Sequence, residues 1–222
     1  MREVFGTDVV GSGFDIVGGE PSWAAVTALN EFYDRAEDLG GAVILRCGRP
    51  SGSPQAGADG GEDLDVHLIT KWESALRRIE RSPVVTIGMA LGDCGGTALE
   101  ALLATDYRIA AADVVLRPPL RGGQLWPGMV VFRLANQLSA GGSRLPILFG
   151  DEIPAPRGAE WGLIDEVAES VPERVAELQP LLAAYSGPEL AIRRRLMLDA
   201  SSQTFEEALG AHLAACDRRL RG

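Results

Sequence analysis

Pro83-Val84-Val85-Thr86-Ile87-Gly88, then Gly92-Asp93-Cys94-Gly95-Gly96, a helical stretch from Thr97 to Thr105, and Asp106-Tyr107-Arg108-Ile109-Ala110 decide the fold. The first block is a continuous apolar run, which suits a strand covered on both faces, as in a parallel sheet. The glycines after it let the backbone come close to a ligand. The first free N–H groups of the helix point outward with the positive end of its dipole. Such a turn is able to hold an oxyanion, although strand, glycine turn and helix are also plain α/β architecture.

Reading outward, Phe14-Asp15-Ile16-Val17 forms a short strand ended by Gly18-Gly19, and Pro21-Ser22 opens a helix from about Trp23 to Asp38. Its apolar positions Val26, Leu29, Phe32 and Tyr33 recur at helical spacing. Ala42-Val43-Ile44-Leu45 follows as a buried strand, completing a βαβ unit. A Gly/Pro/Ser-rich loop from Gly48 to Gly61 leads into an amphipathic helix from about Glu62 to Arg81. Its stripe is Leu64, Leu68, Trp72, Leu76 and Ile79. Val114-Val115-Leu116 is a further strand. After Gly128 the chain reads as helices with one strand near Leu163 to Val167.

The length of 222 residues fits one α/β domain with a substantial core. No run of about 18 apolar residues exists, and the start lacks the apolar region of a secretory signal, so a cytoplasmic protein is expected. Cys47, Cys94 and Cys216 are odd in number and lack zinc-ligand spacing, which suits reduced thiols and no metal. A net charge of -10 disfavours nucleic acid as a partner. Only His67 and His212 are present, with no Gly-x-Ser-x-Gly elbow, which argues against a serine hydrolase.

The block from Pro83 to Ala110 resembles the signature of the crotonase (enoyl-CoA hydratase/isomerase) superfamily. Colinear matches follow: Trp126-Pro127-Gly128, Phe149-Gly150-Asp151-Glu152-Ile153, Ala159 to Val167, and Thr204-Phe205-Glu206-Glu207-Ala208-Leu209. The resemblance implies an α/β crotonase (ClpP/crotonase-like) spiral of ββα units with a C-terminal helical region. Its implied division is a core over residues 1–170 and a helical oligomerisation region over residues 171–222, assembling as trimers or hexamers. The substrate implied is an acyl-CoA thioester, with coenzyme A part of the substrate and no other cofactor.

Carried over by position, the resemblance implies an oxyanion hole from two backbone N–H groups. One comes from Gly96 or Thr97, and the other from Ala58 in Ala56-Gly57-Ala58-Asp59. Glu100 falls where the family's hydratases keep their first catalytic glutamate; read without the family it is a solvated helix carboxylate. The second glutamate position holds Leu120, which cannot transfer a proton. His67 is the other candidate acid/base, weighed against a surface or packing histidine. Trp72, Trp126 and Trp161 read as packing residues. Arg193-Arg194-Arg195 reads as a solvated basic face, with contact to CoA phosphates as the alternative.

Within the superfamily, Asp65-Val66-His67-Leu68-Ile69-Thr70-Lys71-Trp72-Glu73 and Leu120 resemble the DpgB group, hydratase-like accessory proteins of 3,5-dihydroxyphenylglycine biosynthesis. That resemblance implies a type III polyketide synthase or a sister crotonase as partner. It implies help with dehydration and aromatisation of a malonyl-CoA-derived polyketide to 3,5-dihydroxyphenylacetyl-CoA, in antibiotic biosynthesis. The alternatives are a non-catalytic partner of the same fold and an ordinary enoyl-CoA hydratase.

Overall fold

The computed structural model describes residues 7–8, 13–49, 64–121 and 124–221. Strands β1 (Thr7–Asp8) and β2 (Gly13–Ile16) precede helix α1 (Trp23–Leu39), strand β3 (Ala42–Arg49) and helix α2 (Val66–Ile79). Strand β4 (Val85–Gly95), helix α3 (Thr97–Leu102) and strands β5 (Tyr107–Ala110), β6 (Val115–Arg117), β7 (Leu120–Arg121) and β8 (Gln124–Leu125) come next. Helices α4 (Met129–Gln137) and α5 (Ala140–Phe149), strand β9 (Ile153–Pro154), helix α6 (Ala155–Glu160) and strand β10 (Glu166–Val167) follow. Helices α7 (Val171–Ala183), α8 (Pro188–Ala200) and α9 (Phe205–Arg221) complete the chain as described.

Both long helices of the first half start where a side chain accepts a free backbone donor. Ser22 Oγ takes the Ala25 N–H at 3.1 Å, and Asp65 Oδ1 takes the Leu68 N–H at 2.7 Å. The Asp65 cap begins α2 at Val66 rather than near Glu62, as the sequence suggests.

The parallel core of the sheet runs β2-β3-β4-β5-β10, with β1 antiparallel on the β2 edge. Strand β4 extends to Gly95, so Gly92 to Gly95 belong to the strand rather than to a free turn. The reason is a second pairing: Ile87–Ala90 run beside β5, and Asp93–Gly95 run beside β6. A bulge where Arg49 faces both Gly92 and Asp93 bends the strand between its two partners. The strand expected from Leu163 shortens to Glu166–Val167. Leu163 and Ile164 instead donate to the Gly158 carbonyl, at 2.8 and 3.2 Å.

Alternation along β4 sends Val85, Ile87 and Met89 to one face, against Val171, Val175 and Leu178 of α7. Val84 and Ala90 belong to the larger core on the other face, with Leu29, Tyr33, Trp72, Leu76, Leu99 and Leu102 of α1, α2 and α3. Both faces are covered, as the continuous apolar run requires. Helix α9 has no buried residue. Among the described residues, no helix is long and apolar enough to cross a membrane.

Helix α8 is tied to the sheet by Arg194, which is buried and thus departs from the solvated face read for this arginine run. Its Nε donates to Asp106 Oδ1 at 2.7 Å, and its terminal nitrogens reach Asp106 Oδ2 and the carbonyls of Ile79, Ser82 and Val84. Asp106 also accepts from the Thr86 N–H at 2.8 Å and the Thr86 hydroxyl at 2.9 Å. With those donors committed, Arg194 has none left for a phosphate. Arg194→Met strands the Asp106 carboxylate, and a loss of about 3 kcal/mol is expected from urea denaturation, at the low end for a broken buried pair because Asp106 keeps some contact with solvent.

Candidate functional site

The site is built where two glycine pairs press backbone against backbone. Gly96 has φ +55°, and a Cβ there would lie 2.3 Å from the Gly19 carbonyl oxygen. A Cβ on Gly18 would lie 2.7 Å from the Gly95 oxygen. Only glycine fits this approach. It brings the Gly19 carbonyl to the start of α3, where it accepts the Thr97 N–H at 3.1 Å. Thr97 therefore has no N–H to offer an oxyanion, which corrects that half of the Gly96/Thr97 pair. Ala58, the other candidate donor, lies outside the described residues.

One turn into α3, Glu100 is 5% exposed, which overturns the solvated-carboxylate alternative. Its Oε2 accepts the Trp72 indole N–H at 2.7 Å. Its Oε1 faces the Trp126–Gly128 turn: a Cβ on Gly128 would lie 3.7 Å from it. Burial pushes the Glu100 carboxyl up to about 7; the Glu73 carboxylate adds to the rise, while the Trp72 hydrogen bond and Arg133 oppose it. A carboxyl that exchanges its proton near neutrality, held by one oxygen, is suited to acid/base work.

Behind Trp72 lies a buried charge cluster not anticipated from the sequence. Arg133 of α4 donates to Glu73 Oε2 at 2.8 Å and to Glu80 Oε1 at 2.9 Å. Burial raises the Glu73 carboxyl, with Arg133 pulling it back. The signal for Trp72 was present in the α2 stripe, because a buried indole N–H needs an acceptor. For Arg133 no local pattern existed, since its partners are 53 and 60 residues away.

The remaining candidates are not brought to Glu100. His67 is exposed in the first turn of α2, and its ring lies 5.2 Å from the Trp23 ring. Among the described residues, no hydrogen bond or charge effect joins it to Glu100. Leu120 is 56% exposed in β7 and lies over Gly150, where a Cβ would be 2.8 Å from its Cδ2. The Trp126 N–H donates to the Pro119 carbonyl at 2.8 Å, which closes the β7–β8 ribbon beside the turn that faces Glu100. Arg121 sits 5.6 Å from the Trp126 ring centroid. A separate cleft of about 450 Å³ opens by Asp106, Arg108, Arg193 and Met197; Glu100 does not line it.

An Amycolatopsis orientalis protein described as "Enoyl-CoA-hydratase" is 45% identical over 200 residues, covering 89% of this chain and 90% of the relative. The chain belongs to the enoyl-CoA hydratase family. The crotonase fold agrees with solved structures. An enoyl-CoA hydratase/isomerase from Marinobacter aquaeolei superposes with a TM-score of 0.76 at 17% identity, over 100% of this chain and 92% of the other. Human enoyl Coenzyme A hydratase domain-containing protein 3 gives 0.78 at 17% identity, over 99% and 93%. No family model matches the sequence.

The raised Glu100 carboxyl makes stability depend on pH in a defined direction. Its folded value near 7 exceeds the roughly 4.3 of an unfolded glutamate, so its contribution is fully present below about 4.3 and is lost as pH rises through 7. Glu100→Gln, whose amide oxygen still accepts from Trp72, removes that loss. Urea denaturation is expected to show the variant gaining on wild type from pH 5.5 to pH 8 by about 2 kcal/mol.

Proposed function

We propose that this enoyl-CoA hydratase family member is an acyl-CoA lyase that moves a single proton with Glu100. The observation carrying the proposal is a buried carboxyl, near neutral in its titration, with one oxygen tethered and the other facing the turn at Gly128. In the dehydration direction, ionised Glu100 Oε1 takes the proton beside the thioester, and the electron pair moves onto the thioester oxygen. The Gly96 N–H, with Ala58 as the second donor, stabilises that oxyanion. As the enolate collapses, the β-hydroxyl leaves with the proton from Glu100, releasing water and restoring the carboxylate. Leu120 takes no part, so one group serves as base and then as acid. His67 is the fallback base. No cofactor beyond the substrate's coenzyme A is needed.

The substrate reading specific to this chain is the one its DpgB resemblance implies. The protein would assist a type III polyketide synthase in the cytoplasm, removing water from a malonyl-CoA-derived polyketide that aromatises to 3,5-dihydroxyphenylacetyl-CoA. Leu120 favours this reading, because aromatisation drives a water loss that one acid/base group suffices to start. The ordinary hydratase reading is supported by the name of the Amycolatopsis orientalis relative. A homo-oligomer, trimer or hexamer, accompanies either reading; the exposed Phe205, Leu209 and Leu213 of α9 are available to such contacts.

Two assays separate the readings. In the first, crotonyl-CoA is the substrate; in the second, a type III synthase and malonyl-CoA are incubated with and without the protein and the aromatic product is quantified. The proposal expects Glu100→Gln to lower kcat by about 10²–10⁴-fold in whichever assay wild type is active, with KM little changed. A rise in aromatic product without crotonyl-CoA turnover assigns the polyketide role; the reverse assigns the ordinary hydratase. Equal stimulation of the synthase by wild type and Glu100→Gln would instead make the protein a non-catalytic partner.

A further inference from the structure

Resting on that role for Glu100, we propose that Trp72 is a positioning residue that fixes which oxygen of Glu100 carries the proton, with Glu73 and Arg133 as opposing charges that poise it. The Trp72 indole is a donor only, so the oxygen it holds at 2.7 Å must act as an acceptor in both ionisation states. A neutral carboxyl therefore keeps its proton on Oε1, the oxygen on the Gly128 side. Trp72 is 2% exposed and sealed in the main core beside Leu68 and Leu76, so its ring cannot swing away from the carboxylate.

Two charged groups act on this carboxyl among the described residues: Glu73, the next residue of α2, and Arg133 of α4. They have opposite signs and are bonded to each other at 2.8 Å, with Glu80 taking the other side of Arg133. The pair thus partly cancels at Glu100. Removing the Glu73 charge leaves Arg133 less compensated and favours the Glu100 carboxylate; removing the Trp72 donor disfavours it. The two substitutions push in opposite directions, which loss of packing alone would not do.

The test reads ionisation directly and needs no substrate. The indole N–H resonance lost in Trp72→Phe identifies Trp72 among the four tryptophans of the sequence. In wild type that resonance is expected to shift with a single midpoint near pH 7, and in Glu100→Gln the shift disappears. Side-chain carboxyl ¹³C titration then gives the Glu100 midpoint in the variants. Trp72→Phe should raise it, Glu73→Gln should lower it, and the acid limb of the pH–rate profile with crotonyl-CoA or the synthase should move the same way, in kcat rather than KM. An indole resonance that does not titrate, or midpoints that move in the same direction in both variants, overturns the inference. If Glu100→Gln keeps full activity while the indole titrates as stated, the acid/base role of Glu100 fails and the coupling to Trp72 stands.

Discussion

Strand β4 is the constraint on which the rest depends. Its first six residues, Val85 to Ala90, are buried, and the strand runs with β3 along one side and β5 then β6 along the other. A strand whose polar backbone is enclosed in this way must have every N–H and C=O matched within the sheet. One partner of fixed direction cannot follow it past the bulge at Gly92 and Asp93, so β6 takes over where β5 ends. That change of partner carries β4 on to Gly95, and the Gly18-Gly19 backbone then meets Gly96 and orients α3. The position of Glu100 is thus set by strand pairing, two steps before any chemistry.

Buried charge is handled in three different ways within this core. Arg194 spends its donors on Asp106 and three carbonyls, which fixes α8. Arg133 lies between two carboxylates, Glu73 and Glu80, and remains ionised because both partners neutralise it. Glu100 has only an indole donor and a partly cancelled pair nearby, too little to hold a full negative charge at low cost. Its carboxyl responds by titrating near neutrality. Of these three, the residue left least compensated is the one whose proton is easiest to exchange, which is the expected mark of a working site rather than of a structural ion pair.

Much of the fold was legible in the sequence because its signals are local. Continuous apolar runs at Ala42–Leu45 and Pro83–Gly88, helical stripes in α1 and α2, and colinear motifs were enough for a parallel α/β sheet of the crotonase type. What escaped depends on partners distant in the chain. The extension of β4 needed β6, the burial of Arg194 needed Asp106 at a separation of 88 residues, and the occupied Thr97 N–H needed Gly19. Glu100 could be located by motif spacing, yet its burial could not, because a helix of six residues carries no resolvable amphipathic pattern. Trp72 was placed in the core but not as a hydrogen-bond donor, since a stripe records which residues face inward and not what they meet there.

In the proposed mechanism, Leu120 at the position of a second carboxylate limits the chemistry in a specific way. With two acid/base groups, the proton taken beside the thioester and the proton given to the leaving hydroxyl come from separate sites, and each can titrate at its own best pH. In that mechanism Glu100 acts alone and both transfers pass through Oε1, so the proton must leave and return on one face of the substrate. One group can serve both steps only if neither ionisation state is strongly preferred, because a strong base is a poor donor once protonated. A carboxyl raised to about 7 meets that condition where an exposed glutamate near 4.3 would not. The buried setting that produces the shift, made by Trp72, the Gly128 turn and the surrounding core, is therefore what the proposed single-carboxyl mechanism relies on.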